Sequence, residues 1–407
     1  MSDPAFLPDA EGLGEMLRLL CERPEAAAGE SPLPEALPET GLGERDALSL
    51  LAPRIIGGAR DLASPGTLFH MDPPTPWISW GASLWTAALN QNLLHPDTAP
   101  AAREIERQVV DWLAPVFGMQ GGHMLPGSTL ANLTALWAAR EIRGVRRVLA
   151  SGEAHLSIAK AAHLLALELV ALPVDRDGRL EAAALPSDLA DCALVLTAGT
   201  TARGAIDPLN LAGRAAWTHV DAAWAGPLRL SPRYGARLNG LEGTDSLAVS
   251  AHKWLFQPKE SALVLFRDRA RADAALSFGG GYLAVPNIGL MGSHGAMAVP
   301  LLATLLAWGR EGLAARIEHC MAMAEDLAAR LDRADDCELS AWPETGVLLW
   351  RPRGRTEEQV AGLQRALPPG TASLARLNGE PWLRQVAANP NASIDRIWSA
   401  IGAALDG

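Results

Sequence analysis

An amine held just past a buried strand can attack a carbonyl once it is neutral. Desolvation and neighbouring cations lower its pKa toward that state. Lys253 occupies such a place: SAHKW (250–254) follows the strand-like run SLAVS. A solvated loop lysine is the plain alternative. In HVDAAWAG (219–226), Asp221 follows the apolar WTHV. A carboxylate there could cap a helix, bind a metal or pair with a cationic ligand. In LPGSTLANLTAL (125–136), Gly127, Ser128 and Thr129 precede a helical pattern. Free N–H groups and hydroxyls at such a start suit a phosphate, although Ser and Thr are also ordinary caps. His155, in SGEAHLSIAKAA, follows the run RRVLAS and opens a helix. Its ring could stack on a flat aromatic ligand or be structural. AGTT (198–201) adds a Thr-rich turn.

Of 35 basic residues only Lys160, Lys253 and Lys259 are lysines. Where arginine serves as the general surface cation, a retained lysine points to a need for an amine, because guanidinium stays protonated and forms no imine. Cys21, Cys192, Cys320 and Cys337 are scattered, with no CxxC pair, so neither a disulfide framework nor a zinc site is expected. No metal is expected. The net charge of −11 lacks the basic bias of a nucleic-acid binder. No run of about 18 apolar residues reads as a membrane span. The start, MSDPAFLPDAEGLGEML, does not read as a signal peptide, so a cytoplasmic setting is expected.

Elements that would position these residues follow from periodicity. DTAPAAREIERQVVDWLAPVFG predicts an amphipathic helix with Ile105, Val109, Trp112 and Leu113 on its apolar face and Asp97 or Thr98 as cap. After Gly127, helices (STLANLTALWAAREI, HLSIAKAAHLLALE, NLAGRAAW) alternate with strands (RRVLAS, LVALPV, CALVLTA, WTHVDAAW, SLAVSA, SALVLFR). That alternation predicts an α/β domain with a mainly parallel sheet, whose ligands sit beyond the carboxyl ends of the strands. A long helical stretch interrupted by Gly leads to a small C-terminal α+β unit. It has strands at TGVLLWRP and WLRQVAANP and helices at TEEQVAGLQRAL and SIDRIWSAIGAAL. The expected organisation is an arm at 1–95 that needs another surface to pack on, a large domain at 96–312 and a small domain at 313–407.

The ordered set of phosphate turn, His, Thr turn, Asp and Lys resembles the group II pyridoxal-phosphate (PLP) amino-acid decarboxylases of the aromatic-amino-acid, glutamate and diaminobutyrate type. The resemblance runs from TLFHMDPPTP (residue 67) to the C-terminus. It is densest at NQNLLHPDTAPAAREIE, GSTLANL, HVDAAWAG and AHKW. It implies PLP fold type I, aspartate-aminotransferase-like, and decarboxylation of an L-amino acid to an amine and CO2 through a Lys253 aldimine. By motif, Asp221 pairs with the pyridine nitrogen, Ala223 packs beneath the ring and His155 stacks above it. Ser128, Thr129 and Ser250 contact the phosphate, Thr200 contacts cofactor or substrate, and His252 assists proton transfer. The resemblance further implies a homodimer with shared sites, in which Ser293 reaches the neighbour's phosphate. Tyr282, in GGGYLAVPN, would protonate the quinonoid carbon.

His70, Trp77 and Trp80 lie where relatives line the substrate side-chain pocket, though Trp77, Trp80 and Trp85 equally suit a core or interface. The chain departs from the family pattern in its short 282–293 segment, in GSTLAN, in His294 where many relatives have arginine, and in Ser250. Other readings are an aldehyde synthase or carbon–carbon lyase of the same fold, or a PLP-binding homologue without turnover. A NAD enzyme lacks support, since no GxGxxG follows a first strand.

Overall fold

The computed structural model describes residues 6–24 and 33–406. The first five residues of the N-terminal segment, and positions 30–32 of its Pro-rich stretch, lie outside the described residues. The chain forms two compact units, Met1–Asp61 and Leu62–Gly407.

In the first unit, α1 (Ala10–Glu22) is capped by Asp9, whose carboxylate accepts the Glu11 and Gly12 N–H groups at 3.0 Å. Arg45, at the start of α2 (Glu44–Ala52), pairs with Glu11 at 3.1 Å. α1 buries none of its residues, and Leu13, Met16, Leu17 and Leu20 form an exposed apolar stripe.

The second unit begins with α3 (Trp77–Leu89) and α4 (Pro100–Leu113). A Pro at the first helical position starts α4 after Ala99, and neither Asp97 nor Thr98 caps it. Val109 and Leu113 are buried as expected, but Trp112 is exposed. Then come β1 (Gly121–Leu125), α5 (Ser128–Arg143), β2 (Arg147–Ser151), α6 (Leu156–Leu164), β3 (Glu168–Leu172), β4 (Cys192–Thr197), β5 (Trp217–Asp221), β6 (Ser246–Ser250) and β7 (Ala262–Phe266). They build a seven-stranded sheet in the order β1-β7-β6-β5-β4-β2-β3. β3, β2, β4, β5 and β6 are mutually parallel, and β7 runs against both neighbours. Side chains alternate across the sheet: in β4, Leu194 and Leu196 enter one core while Ala193 and Val195 enter the other, packed under α5 and α6.

Two expected helices differ. α6 stops at Leu164 because Ala166 adopts a left-handed conformation (φ 55°), and NLAGRAAW yields only a 3-10 turn, Leu209–Leu211, cut short by Gly213 at φ 80°.

α7 (Arg269–Ala275) leads to a small hairpin, β8 (Ser277–Phe278) with β9 (Asn287–Ile288). α8 (Ala298–Arg333) is interrupted at Gly309 (φ 61°, ψ −175°), at the expected Gly break. A four-stranded antiparallel sheet follows, ordered β10 (Cys337–Leu339), β11 (Val347–Pro352), β13 (Glu380–Val386), β12 (Ser373–Leu377). α9 (Glu357–Ala366), held by a Thr356–Gln359 capping box, and α10 (Ile394–Asp406) complete it. Residues 62–95, joined to the arm by the sequence pattern, belong to this second unit. Leu68 N–H donates to Gly370 O at 2.8 Å and Leu68 O accepts from Val386 N–H at 2.7 Å.

Candidate active site at the carboxyl ends of the strands

β2, β4, β5 and β6 end side by side, and the turns leaving them carry His155, Thr200, Asp221 and Lys253. Lys253 lies in a tight return between β6 and β7. His252 N–H donates to Ser261 O at 3.1 Å and Phe256 N–H to Lys253 O at 2.8 Å, with Phe256 in a left-handed conformation. Trp254, fully buried, lies tilted against Trp224 (centroids 4.2 Å apart) and donates to Ala387 O at 3.2 Å. The lysine is partly exposed as a residue, but its amine is set among protein atoms. Burial lowers its pKa; Lys259 and Arg384 push the same way, while Asp221 and Asp72 oppose them. That environment favours a nucleophilic amine.

Asp221 is buried at the end of β5. Its Oδ1 accepts from Ala223 N–H at 3.1 Å and its Oδ2 from Asn132 Nδ2 at 2.9 Å. Both donors are neutral, and among the described residues no cation forms an ion pair with this carboxylate. A buried acid held by neutral donors suits a positive group as partner. Ser128, the first residue of α5, has its hydroxyl 2.5 Å from that of Ser250. Thr129 is exposed at the same helix start. The Thr200 hydroxyl oxygen accepts from Ala205 N–H at 3.1 Å, leaving its hydrogen to donate. His155 caps α6, its Nδ1 accepting from Ser157 N–H at 3.2 Å. Burial lowers the His155 pKa most, and brings His252 down to about 4. His252 Nδ1 is buried without a hydrogen-bond partner among the described residues.

Other expected residues stand apart within one chain. Tyr282 is 75% exposed on the β8–β9 hairpin, near His95. Ser293 is exposed and accepts from Asn92 Nδ2 at 3.1 Å. Trp77 and Trp80 are exposed on α3, and His70 is exposed beside Phe69. Conversely, the structure brings in Arg384, which the sequence pattern treats as one residue of a strand. It is buried on β13, donates to Thr201 O at 2.8 Å, and meets no carboxylate in an ion pair among the described residues. In its own strand, EPWLRQV, it stands among other polar residues, so the sequence offered no signal that singled it out.

A family model described as the pyridoxal-dependent decarboxylase conserved domain matches residues 30–351. The chain belongs to this family. Among its relatives, L-2,4-diaminobutyrate decarboxylase of Rhizobium meliloti is 32% identical, over 90% of this chain and 83% of that one. Aspartate 1-decarboxylase of Aliivibrio fischeri is 28% identical, over 81% and 73%. The fold matches Oryza sativa TDC, solved with PLP and tryptamine, at a TM-score of 0.86 and 22% identity, covering 100% and 99% of the two chains. The protein is therefore a PLP-dependent amino-acid decarboxylase, a lyase of fold type I acting on a small-molecule amino acid. The donor set fits the cofactor: a buried carboxylate held by neutral donors suits a pyridinium, paired hydroxyls suit a phosphate, and a desolvated amine suits the aldehyde. No helix among the described residues is long and apolar enough to cross a membrane.

Proposed function

We propose that Lys253 is the residue that carries the cofactor, with Asp221 on the pyridine nitrogen, Ala223 beneath the ring and His155 above it. The observation that supports this best is the Asp221 carboxylate, buried and held by neutral donors at the same sheet edge as a desolvated lysine. Ser128, Thr129 and Ser250 hold the phosphate, and Thr200 supplies a further donor. When bound, the cofactor accepts the electron pair released as the Cα–carboxylate bond breaks. Arg384 and His155 orient the substrate carboxylate so that this bond is the one that weakens. His252, whose Nδ1 has no partner among the described residues, assists proton transfer at Lys253. Tyr282 or His155 returns a proton to Cα. His70, Trp77 and Trp80 belong to the substrate end of the site once a second copy covers them.

That second copy makes a homodimer with shared sites. Its support is the apolar face of α3, where Trp77, Trp80, Leu84, Trp85 and Leu89 are all exposed at helical spacing, and the bare stripe of α1. In this assembly the arm wraps the partner and Ser293 serves the neighbouring phosphate. Large and small domains meet near residue 312, and a cytoplasmic setting suits the unpaired cysteines.

Absorption spectroscopy of the purified protein, before and after borohydride, tests the assignment. Wild type is expected to show a visible imine band that borohydride removes, and to release CO2 from an amino acid. Lys253→Ala is expected to lack the band. A band surviving in Lys253→Ala would refute the lysine assignment.

A further inference from the structure

Asp221 and His155 are joined by a chain of buried polar side chains. Asn132, fully buried on α5, donates from Nδ2 to Asp221 Oδ2 and to Ser157 Oγ, both at 2.9 Å. Its Oδ1 lies 2.9 Å from His219 Nε2, and His219 Nδ1 lies 3.0 Å from Ser246 Oγ. Trp217 Nε1 donates to Ser246 Oγ at 2.9 Å. Ser157 Oγ lies 2.8 Å from His155 Nδ1.

The direction of each bond follows from Asp221. A carboxylate oxygen can only accept, so Asn132 must turn its amide nitrogen, not its oxygen, toward Asp221. The amide oxygen then faces His219, whose Nε2 must donate. Burial lowers the His219 pKa to about 4, so the ring is neutral and its Nδ1 accepts from Ser246. Both hydrogens of Asn132 Nδ2 are used, one on Asp221 and one on Ser157. Ser157 Oγ, having accepted, has its single hydrogen left for His155 Nδ1. The Ser157 backbone N–H points to the same nitrogen.

We propose that Asn132 and Ser157 are positioning residues that carry the polarity of Asp221 to His155. They fix its neutral imidazole as the Nε2–H tautomer, so that the ring offers one donor to an anionic oxygen of the bound substrate. This rests on the roles given above to Asp221 and His155 and adds what sets the state of the histidine. Among the described residues nothing accepts from Nε2, so that donor is available to a ligand. The same wiring couples the two faces of the site: the acid that pairs with the ring nitrogen also decides which imidazole nitrogen is protonated.

The test is a long-range proton–nitrogen correlation spectrum of holoenzyme labelled with 15N-histidine, with His155 identified among the nine histidines by loss of its signals in His155→Asn. The expected pattern is a bare Nδ1 and a protonated Nε2. Ser157→Ala removes one of the two donors to Nδ1. It is expected to move the Nδ1 shift toward the protonated value and to lower kcat/KM about 5-fold. Its cofactor absorbance should not change, and Ser157→Thr should restore both readouts. A protonated Nδ1 in wild type overturns the proposal even if no variant folds, as does a Ser157→Ala spectrum matching wild type. If instead wild type lacks the cofactor band, the functional reading fails, and the tautomer result still judges the network.

Discussion

Ser128 Oγ and Ser250 Oγ lie 2.5 Å apart, although 122 residues separate them in sequence. The contact ties the first turn of α5 to the end of β6, and so fixes these two hydroxyls relative to Lys253, three residues after Ser250. Ser250→Ala removes one of these hydroxyls. It is expected to raise the PLP dissociation constant about 10-fold, the weight of one hydrogen bond to a charged group. Equilibrium dialysis against PLP measures it, and an unchanged constant would remove Ser250 from the phosphate site.

Arg384 should bind the substrate carboxylate. Burial lowers its pKa to about 10, so it remains charged below that pH and keeps its role across the working range. Arg384→Gln is expected to raise KM by about 10- to 100-fold, from the loss of a charge-assisted hydrogen bond. Steady-state assays with the preferred amino acid decide this. A KM equal to wild type with reduced kcat would point to a role other than carboxylate binding.

Tyr282 stands on an exposed hairpin rather than in the strand-end cluster, so its role is separable from cofactor binding. Tyr282→Phe is expected to bind PLP as wild type does and to lose about 100-fold in kcat, within the range for removing a general acid. Retained turnover would leave His155 as the proton donor.

Stability should fall on acidification. His123, His219 and His252 are each held near pH 4 by burial, below the ordinary 6.5. Their neutral rings contribute stability that is fully present above 6.5 and is lost as pH falls toward 4. Asp207, raised by burial from 3.8 to about 6, works in the opposite sense, its contribution disappearing as pH rises through 6. His70 and His155 are lowered as well, and Glu106 and Asp273 raised, so five histidines stand against three acids and the apoprotein should melt at a lower temperature at about pH 5 than at about pH 7. Circular dichroism melts at the two values check the sign.

Much of the large domain was legible because buried strands and amphipathic helices write themselves as short apolar runs and periodic stripes: CALVLT, SLAVS and STLANLTALWAAREIR fall on β4, β6 and α5. β1 escaped because GGHML opens with two glycines. Gly122 is needed there, since a Cβ would lie 1.9 Å from Val264 O on the neighbouring strand. The lysine, aspartate and histidine could be picked out because each stands at or just past the end of a strand. Asn132, Ser157 and Arg384 were not. Their meaning comes from partners 89, 25 and 183 residues away, and in their own segments they are one polar side chain among others.

The anchoring of the lysine turn bears on biosynthesis. Trp224 Nε1 donates to Thr345 O at 2.7 Å, across 121 residues, and Trp254 reaches Ala387 across 133. Both indoles that shore up the Lys253 turn therefore lean on chain made much later. While a ribosome is still short of Thr345, the lysine has been made but its supports have not. Bracing of the lysine turn must then await synthesis past Ala387, and a product terminated before that point would hold the lysine in an unbraced turn.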